Sequence, residues 1–137
     1  MIFTLPALGI LYFSSLLVFE KINHLDEIYK VKYNLEYMQV TEKLIHSLQK
    51  ERGLSVTYNE SKKLFDKLRE QRKISENNFQ IYLDFTNNSI QNNYLNINLG
   101  YIKEIQKTFY DLKSFRYKID DFSIDNLDIL RKYSMLD

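Results

Sequence analysis

Three arginines stand where apolar residues would be expected. Arg52 follows Ile45 and Leu48 by seven and four positions. Arg72 lies four after Leu68 and seven before Phe79, and Arg116 lies four after Leu112 and three before Ile119. At about 100° per helical residue, each is set on or within about 40° of an apolar stripe. A charge on such a stripe is costly unless it is paired. Two readings follow. The arginines pair with Glu51, Glu76 and Asp120 or extend their heads to water, or they converge on an anion held between helices. Two guanidinium groups about 6 Å apart repel by about 2–3 kcal/mol at an effective dielectric of 20. A bound oxyanion reverses that repulsion, and the planar arginine fork matches adjacent oxygens of a flat oxyanion. Lys50 and Glu51 are read as neighbours of Arg52 that form a surface pair.

Other chemistry is poorly supported. The two histidines, His24 and His46, would be about 33 Å apart on one straight helix, and the chain has no cysteine, so a metal site is not expected. No nucleophile–base pair, P-loop or glycine-rich nucleotide motif occurs, and neither catalysis nor a cofactor is expected. A net charge of +1 gives no basic excess for tracking phosphates, so nucleic acid is not an expected partner.

The elements that must position the arginines are helical. One proline and three glycines in 137 residues leave few turn residues for a many-stranded fold. Met1 to Phe19 contains no charged residue and is long enough to span a hydrocarbon core of about 30 Å. Residues 1–20 are therefore read as a membrane anchor and 21–137 as a helical domain. The first helix is expected to run unbroken from the anchor to Arg52, with Leu35, Met38, Ile45 and Leu48 on its inner face and Gly53 as its C-cap. Ser55–Glu60 reads as a turn. Ser61 is expected to cap a second helix carrying Phe65, Leu68, Phe79 and Tyr82, and the Asn-rich stretch 86–93 to connect onward. A third helix carries Ile102, Ile105, Phe109, Leu112 and Ile119. Ser123 is expected to cap a fourth, with Ile124, Leu127, Leu130 and Met135. The expected fold class is all-α, an antiparallel four-helix bundle whose long first helix is continuous with an N-terminal transmembrane helix. The short fourth helix would leave apolar surface on the first, which implies a C-terminally incomplete domain or a homodimer.

The segment Leu44-Ile45-His46-Ser47-Leu48-Gln49-Lys50-Glu51-Arg52-Gly53-Leu54-Ser55 resembles the signature of the nitrate- and nitrite-sensing (NIT) domain, in which a helix carries Leu-Gln-x-Glu-Arg-Gly-x-Ser. Arg72-Lys73-Ile74-Ser75-Glu76 is similar to the family's Arg-x-x-Thr-Asp, with Ser and Glu replacing Thr and Asp. Leu112 to Asp120 resembles its Leu-x-x-Arg-x-x-Val-Asp element, and Tyr133 falls where a fourth-helix tyrosine is common. The resemblance covers roughly residues 30–137. It implies a sensory input domain of chemoreceptors or histidine kinases in the inner membrane, facing the periplasm, that binds nitrate or nitrite and signals across the membrane. The anion ligands it implies are Arg52, Arg72 and Arg116. The alternatives are a helical dimerisation module without a small ligand, and a sensor of the same fold for another ligand.

Overall fold

The computed structural model describes residues 4–91 and 98–135, without the side chains of residues 4–8 and 23. It contains four helices: α1 (Thr4–Ser61), α2 (Phe65–Gln91), α3 (Leu99–Asp120) and α4 (Asn126–Ser134). Contacts fix an up-down-up-down bundle. Along α1 and α2, Tyr58 meets Phe65, Gln71 reaches the Ser47 carbonyl and Tyr37 meets Tyr82, so the two run antiparallel. Arg72 with Asp120, Glu76 with Arg116 and Phe79 with Phe109 set α3 antiparallel to α2. Ser55 with Tyr133 and Asn59 with Asn126 set α4 antiparallel to α1.

The core is built from Leu44, Leu48, Leu68, Phe79, Tyr82, Ile102, Phe109, Leu112, Ile119, Ile129 and Tyr133, all buried. Phe79 and Phe109 stack at 3.8 Å between α2 and α3. No described Cα of α2 comes within 8 Å of one of α3. The rings act as a spacer that keeps the two backbones apart.

Several boundaries differ from the sequence expectation. Helix α1 does not end at Gly53 but continues through Ser55–Glu60 to Ser61. Ser55 and Tyr58 are buried, so the inner face continues past the glycine, and packing outweighs a helix penalty of about 1 kcal/mol. The reversal falls at Lys62–Leu64, where Lys62 and Leu64 take the positive φ values of 55° and 70° and the Lys62 N–H closes the helix on the Tyr58 carbonyl. Ser61 ends α1; its hydroxyl donates to the Thr57 carbonyl. Helix α2 runs through Thr86 to Gln91 because Thr86 and Ser89 are buried on its core stripe; the rest of the stretch 86–93 lies outside the described residues. The N-cap of α4 is Asp125, which accepts from the Asp128 N–H, whereas Ser123 closes the end of α3 through its N–H to the Lys118 carbonyl.

The inner face of α1 also differs. Leu35 and Met38 are exposed, and the buried positions are Leu44, Ser47, Leu48, Glu51, Ser55 and Tyr58. Half of that stripe is polar, so an apolar pattern alone points to the wrong side of the helix. Leu127, Leu130 and Met135 are likewise exposed, and α4 packs instead through Ile129 and Tyr133. The N-terminal part of α1 projects beyond the bundle with its apolar residues exposed, from Ile10 to Phe19 and onward to Met38. Among the described residues no helix is long and apolar enough to cross a membrane.

Candidate functional site, a cationic cleft over a buried carboxylate

All four helices meet at Glu51, which is completely buried. Far from forming a surface pair with Lys50, its carboxylate is the hub of the bundle's polar network. Arg116 of α3 chelates it through one edge of the guanidinium, with Nε donating to Oε1 at 2.7 Å and Nη2 to Oε2 at 2.8 Å. The Tyr133 hydroxyl of α4 donates to the same Oε1 at 2.6 Å and lies 3.3 Å from the Ser55 hydroxyl. Arg116 Nη1 turns the other way and donates to Glu76 Oε1 of α2 at 2.7 Å. Burial works to lower the Arg116 pKa, but Glu51 reverses this, with Tyr133 and Glu76 adding, and the guanidinium is held above its ordinary range. Burial and the adjacent Glu51 push the Tyr133 hydroxyl pKa well above the usual tyrosine value, so the hydroxyl stays a donor.

Arg72 of α2 stands beside this network. Its Nη1 donates to Asp120 Oδ2 of α3 at 2.8 Å, and its Nε is 4.0 Å from Glu51 Oε1, too far for a hydrogen bond. Arg72 Nε and Nη2 are buried and have no hydrogen-bond partner among the described residues, and Asp120 Oδ1 shares that condition. Nε and Nη2 form the same guanidinium edge with which Arg116 chelates Glu51. One arginine edge is thus filled by a planar carboxylate, and a second, close by, presents the same two donors unpaired.

Outside the two arginines lies a cleft of about 390 Å³ between α2 and α3. Arg69, Arg72, Lys73 and Glu76 line it from α2, and Lys113, Arg116, Tyr117 and Asp120 from α3. Each set has the spacing i, i+3, i+4, i+7, the single face of a helix. Five cations face two carboxylates, which gives the cleft a positive field despite the near-neutral chain. The Phe79–Phe109 spacer explains why the helices leave this opening.

Of the three arginines expected from sequence, the structure brings Arg72 and Arg116 together here. Arg52 is half-buried on α1, one step around the helix from Glu51, has an interaction of its own and does not line the cleft. The pairing carboxylates are the three anticipated, Glu51, Glu76 and Asp120, but they pair across helices and not with their chain neighbours. Arg69, Lys73 and Lys113 were not anticipated. Their signal was present in the matching face spacing of α2 and α3. Among the described residues no group of three or more His, Cys, Asp or Glu side chains could hold a metal ion.

A family model described as nitrate and nitrite sensing matches residues 43–136. That span holds every residue of the cleft and of the Glu51 network. No curated protein and no solved structure matches the chain.

Proposed function

The chain belongs to the nitrate and nitrite sensing family, and from that premise we propose that the cleft between α2 and α3 is its anion seat, with Arg72 as the principal ligand. The observation that carries this reading is the buried Arg72 edge, two N–H donors without a partner. An unmet buried donor costs about 1–3 kcal/mol, more when charged. Nitrate and nitrite are planar oxyanions whose adjacent oxygens accept such a fork as a carboxylate does. Arg116 already uses three of its donors on Glu51 and Glu76. It acts as a wall charge and as the link to α1. Lys73, Arg69 and Lys113 draw the anion in.

Sensing then follows from the shared neighbours. An anion on Arg72 places a second negative group near Glu51, whose Oε1 is 4.0 Å from Arg72 Nε. Repulsion between the two shifts the balance of the Glu51–Arg116–Tyr133 network and so the seat of α1 against α3 and α4. Helix α1 continues unbroken toward residues 1–20. Their uncharged apolar run, exposed from Ile10 to Phe19, supports the reading of this stretch as a membrane anchor, through which the shift would pass to a signalling output. The ligand can move that equilibrium only by its differential affinity, typically worth about 1–3 kcal/mol.

A ligand-free bundle held by ion pairs is the second reading, favoured by the complete pairing of Arg116. Calorimetric titration with nitrate and nitrite separates the two. The sensor reading expects saturable binding by the wild type and at least about tenfold weaker binding by Arg72→Lys, which keeps the charge but loses the fork. Equal heats for both proteins, or no heat at millimolar anion, would support the bundle without a ligand.

A further inference from the structure

The projecting part of α1 carries an ordered apolar seam that the bundle does not use. Ile28, Val31, Leu35 and Met38 are 57, 58, 55 and 65% exposed and follow one another by three, four and three residues. That is the a–d–a–d spacing of a coiled coil. In the same frame Tyr33 occupies f, the position opposite the seam. It packs on Phe85 of α2 with ring centroids 6.4 Å apart, so the seam faces away from the only helix paired with this level of α1 among the described residues.

We propose that this seam is the contact with a second copy of the chain, the two α1 helices running parallel and in register. Charge placement selects both the partner and its direction. Glu27 falls at g and Lys32 at the following e, the pair that crosses between parallel strands as g to e′. Each copy supplies both members, so a symmetric dimer forms the contact twice. An antiparallel pairing about the same seam would instead set Lys32 against Lys32 of the other copy, a like-charge contact. Within one copy Lys32 and Glu27 hold only exposed contacts, with Glu36 at 3.9 Å and His24 at 3.7 Å, so both can turn to the partner. The seam lies outside the anion cleft and its residues, and the inference stands independently of what the cleft binds.

The chain contains no cysteine, which makes single-cysteine variants of the full chain, reconstituted in lipid vesicles, a direct test. In a parallel, in-register dimer each seam residue meets its own copy. Val31→Cys, Leu35→Cys and Met38→Cys should each give covalent dimers under mild oxidation, several-fold above Lys30→Cys. Glu27→Lys should lower the yield, and adding Lys32→Glu should restore it. All five side chains are exposed, and helical content by circular dichroism checks that each variant folds. Equal cross-linking at all four cysteine positions, or none, would overturn the proposal. So would dimers that form only when Ile28→Cys is mixed with Met38→Cys, the antiparallel outcome.

Discussion

Glu51 carries its carboxylate where no water reaches it, and the surrounding residues show what that demands. Two arginine N–H groups and one phenolic hydroxyl donate to its oxygens, which compensates the loss of hydration that would otherwise make the charge prohibitive. Truncating it as Glu51→Ala leaves Arg116 buried with its chelating edge unmet. The expected loss is about 3–5 kcal/mol in urea unfolding. Tyr133→Phe removes one hydrogen bond to the charged group, at an expected cost of about 1.5–3 kcal/mol. The same tyrosine gives a pH signature. Burial raises the folded pKa of Tyr133, and burial together with Tyr37 raises that of Tyr82, while the unfolded tyrosines ionise near pH 10. Above that pH the unfolded state releases protons that the folded state retains. The tyrosine contribution to stability is therefore present in full below about pH 10 and falls as the pH rises beyond it. Unfolding midpoints between pH 8 and 11 should show a shallower alkaline decline in Tyr133→Phe.

At the scale of the helices, periodicity located α3 and the core face of α2, because Leu68, Phe79, Tyr82, Ile102, Phe109, Leu112 and Ile119 are both apolar and buried. It failed on α1. There the buried stripe runs through Ser47, Glu51 and Ser55, residues that pattern reading assigns to solvent, while the apolar Leu35 and Met38 face outward. The arginines were legible as misfits on apolar stripes, but their partners were not, since cross-helix pairing depends on relative levels that one helix's spacing does not encode. Gly53 shows the same limit. A glycine after Arg52 reads as a helix end, yet here it lies within α1, exposed, with nothing within 4 Å of where a Cβ would stand. Gly53→Ala should therefore stabilise the protein by about 0.5–1 kcal/mol. A thermal melt that shows destabilisation would place a helix end at that residue.

For the whole molecule, the two ends of α1 differ in character. One end is clamped in a bundle through a buried polar hub that also borders the cationic cleft. The other end projects with an apolar surface for a second copy and, by our reading, the bilayer. This arrangement turns a small charge change at Arg72 into a change in how a long rod is seated. The most direct test follows the arginine Nε–H resonances by NMR while the wild-type protein is titrated with nitrate. The account predicts that the Arg72 Nε–H signal moves saturably with nitrate. Arg116 Nε–H, held by Glu51 at 2.7 Å, should keep its hydrogen-bonded position. A saturable shift centred on Arg52 with Arg72 unmoved, or no arginine signal responding at millimolar nitrate, would contradict it.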